Sequence, residues 1–200
     1  MTDIRAIETS YAGCLFRSRT EARWAVFFDN IGLAWQHESQ GFEVGKPAKR
    51  YLPDFYLPKL GLHVEVKPAM ADVADPDGVL LWENFAGMVA TKWDHDKTAM
   101  FCGPPPNPAQ VDRKGPPRAG TWYEEGIVIL GDWHYAWCVC PAGEHFDIQF
   151  EARGGRILCG CPRITDDRYF TGNHPRILAA YRAARSARFE HGEHGQQRAA

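Results

Sequence analysis

The chain has 200 residues, 44% apolar and 24% charged, a balance that excludes disorder as its main state and allows a core without disulfide staples. No apolar run approaches the ~18 residues of a spanning helix, and the start MTDIRAIETS lacks a signal peptide's apolar stretch. A cytoplasmic location without a membrane partner is therefore expected, and the net charge of −2 argues against tight, indiscriminate coating of nucleic acid.

Residues 18–31, SRTEARWAVFFDNI, are predicted to form a helix. Ser18 and Glu21 fit the S-x-x-E capping box, Trp24, Phe27, Phe28 and Ile31 follow helical spacing, and Gly32 is a stop. LAWQHE (33–38) is a predicted strand, followed by the turn-rich GFEVGKPAK. YLPDFYLP (51–58) and LHVEVK (62–67) are two short strands around a turn at Lys59–Gly61. Asp75-Pro76-Asp77 introduces a second helix over about 79–97, with Leu81, Phe85, Met88, Val89 and Trp93 as its apolar stripe. TAMFC (98–102) reads as a buried strand, which completes the order α-β-β-β-α-β. GPPPNPAQVDRKGPPR (103–118) then holds six of the fourteen prolines, the mark of a surface loop. Beyond it GIVIL, HYAWC, FDIQF and RIL are strand-like runs broken by glycine, and HPRILAAYRAARSARF (174–189) is a final helix. The expected organisation is an α/β (α+β) core over 1–102, a proline-rich loop or linker over 103–120, a small β-rich appendage over 121–172, and a basic helix with a flexible tail over 173–200.

Charge follows this division. Residues 51–100 carry four basic and eight acidic side chains, whereas residues 151–200 carry nine and five. The acidic stretch contains Asp54 and the run Glu65-Val66-Lys67. Alternation along a strand points Leu62, Val64 and Val66 one way and His63, Glu65 and Lys67 the other. Pairing through the short turn brings Asp54 beside Glu65. Two adjacent carboxylates repel unless a cation neutralises them, and hard oxygen donors suit magnesium or manganese. Such an ion polarises a phosphodiester oxygen, and Lys67 would stabilise charge developing there. Glu21, on the inward face of the first helix, either joins this centre or completes the capping box; His63, Glu65 and Lys67 are otherwise simply the wet face of an amphipathic strand.

Asp54 preceded by Pro53, followed by Glu65-Val66-Lys67, resembles the signature of the PD-(D/E)XK nuclease superfamily, over residues 14–102. The element order resembles that superfamily's restriction-endonuclease-like core, and the wording SRTEARWAVFFDNIGLAWQHE…YLPDFYLP…HVEVK is similar to nuclease-like proteins of bacteriophages and their hosts. The resemblance implies an endonuclease acting on DNA, with magnesium or manganese on Asp54 and Glu65, Glu21 assisting and Lys67 as the catalytic lysine. It also implies the host cytoplasm as the location if the chain is phage-encoded. Pro68 directly after the lysine departs from the pattern.

Six cysteines without a secretion signal favour thiols or metal over disulfides. Cys14 and Cys102 lie in apolar surroundings and read as buried small hydrophobes. Cys138-x-Cys140 and Cys159-x-Cys161 suit a structural zinc that replaces the core such an appendage lacks; the resemblance to nuclease-like proteins that end in a C-P-x-C-G … C-x-C ribbon implies Cys138 or His145 as the fourth ligand. Reduced, buried thiols or an opportunistic disulfide are the plainer readings. Arg17, Arg19 and Arg23 near the proposed centre, and Arg182 and Arg185 on the last helix, are candidate phosphate contacts. Two other readings remain open: a nucleic-acid-binding protein without catalysis, or a phage protein that binds a host protein. The oligomeric state is left open, a homodimer included.

Overall fold

A computed structural model describes residues 6–67, 76–89, 97–109, 127–130, 133–140, 146–150, 155–156 and 174–189. The chain starts with a hairpin, β1 (Thr9–Tyr11) and β2 (Cys14–Phe16), and enters helix α1 (Arg19–Ile31). Ser18 caps α1 by accepting a hydrogen bond from the Glu21 amide, and Gly32 ends it at φ 72°, the left-handed conformation that glycine adopts without steric cost. Short strands follow: β3 (Gln36–His37), the hairpin β4 (Phe42–Val44) and β5 (Lys49–Tyr51), then β6 (Phe55–Leu57) and β7 (Leu62–Lys67). Helix α2 (Pro76–Val89) leads to β8 (Thr98–Cys102). With the unforeseen β1–β2 and β4–β5 hairpins set aside, α1, β3, β6, β7, α2 and β8 follow the expected α-β-β-β-α-β order. Strands β9 (Ile127–Leu130), β10 (Trp133–Val139), β11 (Phe146–Phe150) and β12 (Gly155–Arg156) and helix α3 (Pro175–Ser186) complete the described chain.

Mixed helices and sheets therefore form the protein. Its main sheet has the order β12-β11-β10-β9-β8-β7-β6-β3. Only β7 and β8 pair in parallel, across the connection that carries α2; the other neighbours are antiparallel. Burial along β7 alternates strictly, with Leu62, Val64 and Val66 buried and His63, Glu65 and Lys67 half-buried, as the sequence alternation requires. All five residues of β8 are buried, as expected for a strand covered on both faces. Ala99 and Phe101 join the larger core beneath α1 and α3, while Met100 and Cys102 join Trp82, Phe85, Val44 and Tyr51 on the other side.

Aromatic side chains fill the larger core. Trp24 lies with its ring centroid 4.5 Å from Phe101 and donates its indole N–H to the Gly103 carbonyl at 2.9 Å. Phe27 stacks on Tyr181 at 4.9 Å, which ties α1 to α3.

Three features differ from the sequence expectations. The strands predicted for an appendage over 121–172 instead continue the main sheet, β9 pairing with β8, and Trp137, Val139 and Phe146 lie in the larger core. The physical reason is the edge of β8, whose N–H and C=O groups would otherwise be unpaired next to buried side chains. Secondly, the stripe predicted for α2 is only partly inward. Phe85 is buried and Leu81 and Val89 pack half-buried against the same core, whereas Met88 is 47% exposed and Trp93 lies outside the described residues. Thirdly, the segment read as turns contains the β4–β5 hairpin. Cys102 is buried as expected and Cys14 half-buried. The proline-rich stretch beyond Ala109 and the tail after Phe189 lie outside the described residues. No helix among the described residues is long and apolar enough to cross a membrane.

Candidate metal and catalytic centre

Local structure places Asp54 at the entry to β6, one residue before the Phe55–Val64 pair of the β6–β7 ladder. It is 3% exposed, and its Oδ2 accepts the Val66 amide at 2.7 Å, so the carboxylate is pinned to the backbone of β7 beside Glu65. Glu65 projects from the half-buried face of β7 and is oriented at both oxygens. Tyr51 Oη donates to Oε2 at 2.8 Å, and Lys67 Nζ donates to Oε1 at 2.9 Å. Asp54, Glu65 and Lys67 thus converge as the strand alternation predicts.

Arg17 closes the other side. Its Nη2 donates to Asp54 Oδ1 at 2.8 Å and forms an ion pair with Glu38 Oε1 at 3.0 Å, while the side chain remains 61% exposed. Glu38 is held in place by its own amide, which donates to the Asp54 carbonyl at 3.0 Å. It adopts φ 44°, a conformation uncommon for a residue with a side chain and one that clusters at functional sites. Glu21 is 6% exposed and takes the capping role: Oε1 accepts from Ser18 Oγ at 2.7 Å and Oε2 from the Arg17 amide at 3.1 Å. Its influence on the centre is electrostatic.

The charges are unequally matched. Burial, then Glu65 and Glu21, push the Asp54 carboxyl well above the usual carboxylate range, against the lowering effects of the Val66 amide and Arg17. Burial opposes the Lys67 charge, but Glu65 and Asp54 outweigh it and hold its pKa above the ordinary lysine value. Lys67 is therefore an ammonium at neutral pH, a donor and not a base. Burial and Glu65 push the Tyr51 phenol up as well, so it stays a donor to Glu65. The result is a cluster of carboxyl groups in which ionisation of Asp54 is disfavoured unless a further positive charge joins Arg17.

The donor set fits a hard divalent cation. Magnesium is usually held by one or two carboxylates with waters and substrate phosphates completing its shell, not by an all-protein cage. Among the described residues, no group of three or more His, Cys, Asp or Glu side chains is placed to hold a metal ion. Asp54 and Glu65 are the two oxygen donors at hand, and each carboxylate oxygen retains a lone pair beyond the hydrogen bond it accepts.

The other candidate residues are distributed differently. His63 is packed among Tyr56, Phe42 and Phe85, with ring centroids 4.7 to 5.3 Å away, as part of the wall beside the centre. Cys138 and Cys140 are both fully buried near the end of β10, two residues apart, whereas Cys159, Cys161 and His145 lie outside the described residues. Arg19, Arg23 and Arg185 line a cleft between α1 and the end of α3; Arg182 is exposed on α3. Sequence reasoning missed Tyr51 and Glu38. Tyr51 had a usable signal, since Pro53 interrupts the run after it and so separates the tyrosine's strand from that of Asp54. Comparison with protein-family models, with curated proteins and with solved structures gives no match.

Proposed function

We propose that the protein is a metal-dependent DNA endonuclease of the PD-(D/E)XK type, hydrolysing phosphodiester bonds at the Asp54–Glu65–Lys67 centre. The observation that carries this reading is the paired carboxylates on adjoining strands with a lysine ammonium bonded to one of them. A protein that only binds nucleic acid has no need of that buried, electrostatically costly arrangement. The α1-β3-β6-β7-α2-β8 order supports a restriction-endonuclease-like core.

Magnesium or manganese, when bound, supplies Lewis acidity toward a phosphoryl oxygen and toward water. Asp54 and Glu65 would hold the ion, and the Val66 amide and Tyr51 keep their carboxylates aimed. Lys67 donates to the phosphate oxygen that gains charge as water attacks; an ammonium already in place does so without reorganisation. Arg17, more than half exposed, balances Asp54 and Glu38 and is within reach of an incoming phosphate. Glu21 fixes the entry to α1, and with it the position of Arg17. A structural zinc on Cys138, Cys140, Cys159 and Cys161 belongs to the same reading; the two buried thiols near the end of β10 supply half of a tetrahedral donor set.

Incubation of the protein with supercoiled, linear and branched DNA and with RNA tests the reading. Cleavage is expected with magnesium or manganese and not with EDTA, and metal analysis of the same samples is expected to give zinc at about one atom per chain. Absence of metal-dependent cleavage on every substrate overturns the enzyme reading, and absence of zinc overturns the cysteine site.

A further inference from the structure

A second charged feature lies on the opposite side of α1 from the carboxylates. Arg19 and Arg23, four residues apart, share one helix face, whereas Glu21 between them points roughly 160–200° away around the helix at about 100° per residue. The face of Arg19 and Arg23 meets the C-terminal end of α3. There, with Arg185, Ser186, Arg188 and Phe189, the two arginines line a cleft of about 380 Å³. Arg19, Arg23 and Arg185 are half-buried, and Arg188 is exposed. Guanidinium groups stay charged at any working pH, so the cleft carries four fixed positive charges in a chain whose net charge is −2.

We infer that this cleft is a separate binding site for the phosphodiester backbone of DNA, apart from the carboxylates that would meet the bond to be cut. The identity of the polymer rests on the function proposed above; the site itself rests on the arginines. Guanidinium forks match phosphate geometry in a bidentate manner, and four of them from two elements suit a run of phosphates. The cleft has more than ten times the ~30 Å³ that one water takes up, room for sugar-phosphate backbone and not only for a single small anion. Backbone held there is fixed in register while its neighbour meets the metal centre. This also resolves the net acidity of the chain: attraction to DNA is local to one concave strip.

The test uses the full-length protein in EDTA, where no cleavage occurs, and a labelled 20-base-pair duplex titrated at 50 to 200 mM salt. Removing one phosphate-neutralising side chain lowers the slope of log K against log salt by about 0.9. The Arg19→Gln/Arg188→Gln protein is expected to lose about two units of slope and to bind at least tenfold more weakly. Arg176→Gln is the charge control, because Arg176 sits at the other end of α3 over the Phe146 ring, 4.6 Å from its centroid. Its slope is expected to equal that of the parent. Thermal melts verify folding, and if the double variant is unfolded, exposed Arg188→Gln alone should lose about 0.9. Equal slopes for parent and cleft variants, or a parent that does not bind duplex, overturn the site. Because binding is read without metal, loss of slope in a protein that never cleaves would remove the nuclease reading and leave the cleft standing.

Discussion

Replacing Lys67 with methionine is expected to lower metal-dependent cleavage of DNA by 10²- to 10³-fold, the effect of removing one preorganised donor to developing negative charge. Methionine keeps most of the aliphatic stem, so packing against β7 persists while the ammonium is lost. The Lys67 side chain is 27% exposed, and Glu65 keeps its bond from Tyr51, so the melting temperature should change little. Binding of duplex in EDTA should be unaffected as well. This combination separates a catalytic lysine from a structural one. Single-turnover rates with magnesium measure the effect, and a Lys67→Met protein that cuts within threefold of the parent overturns the assignment.

The second large effect concerns stability. The folded-state pKa of Asp54 is raised by burial and by Glu65 and Glu21, so the folded protein holds a proton that the unfolded chain has already released. Stability from this group is fully present below the ordinary carboxylate pKa and is lost as pH rises through the raised value. In EDTA the contribution of this group to the melting temperature is therefore expected to fall as pH rises above the ordinary carboxylate range. Magnesium reverses this at neutral pH. Saturation at a hundred times its dissociation constant adds about 2.7 kcal/mol, or about 5–10 °C for a chain of this size. At acidic pH the same magnesium concentration should shift the melt less, because protons compete for the carboxylates. Asp54→Asn removes both dependences and is expected to be at least as stable as the parent in EDTA at neutral pH. Melting curves between pH 4.5 and 8.5, with and without magnesium, measure this; a magnesium shift that persists in Asp54→Asn places the ion elsewhere.

The sequence carried the local part of this arrangement. Ser18, Glu21 and Gly32 delimit α1 because caps act over three or four residues, and the two-residue period of LHVEVK places Glu65 and Lys67 on one face without reference to any partner. Interactions between distant segments were not legible. Arg17 and Asp54 are 37 residues apart, and nothing local distinguishes an arginine that clasps a carboxylate from one facing phosphate. The β4–β5 hairpin was hidden because its three-residue strands are bounded by glycine, lysine and proline, which read as turns. The strand-like runs after residue 126 were visible, yet periodicity cannot name the edge they pair with. In α2, the stripe including Met88 follows helical spacing, but the sheet and hairpin cover the side of Leu81, Trp82, Phe85 and Val89 and leave Met88 exposed.

The parallel β7–β8 pair and the antiparallel β8–β9 pair make β8 an interior strand with the carboxylate-bearing strand on one side and the C-terminal strands on the other. Cutting the gene at the end of the recognisable motif would not yield a minimal enzyme. It would leave β8 with an unpaired hydrogen-bonding edge and five apolar or core-facing side chains, a template for self-association. It would also strip Tyr181 from Phe27, and with it the support beneath the helix that carries Glu21. A portion able to keep Asp54, Glu65 and Lys67 in place thus has to retain β9 and α3 as well, and the two halves would have to be inherited together.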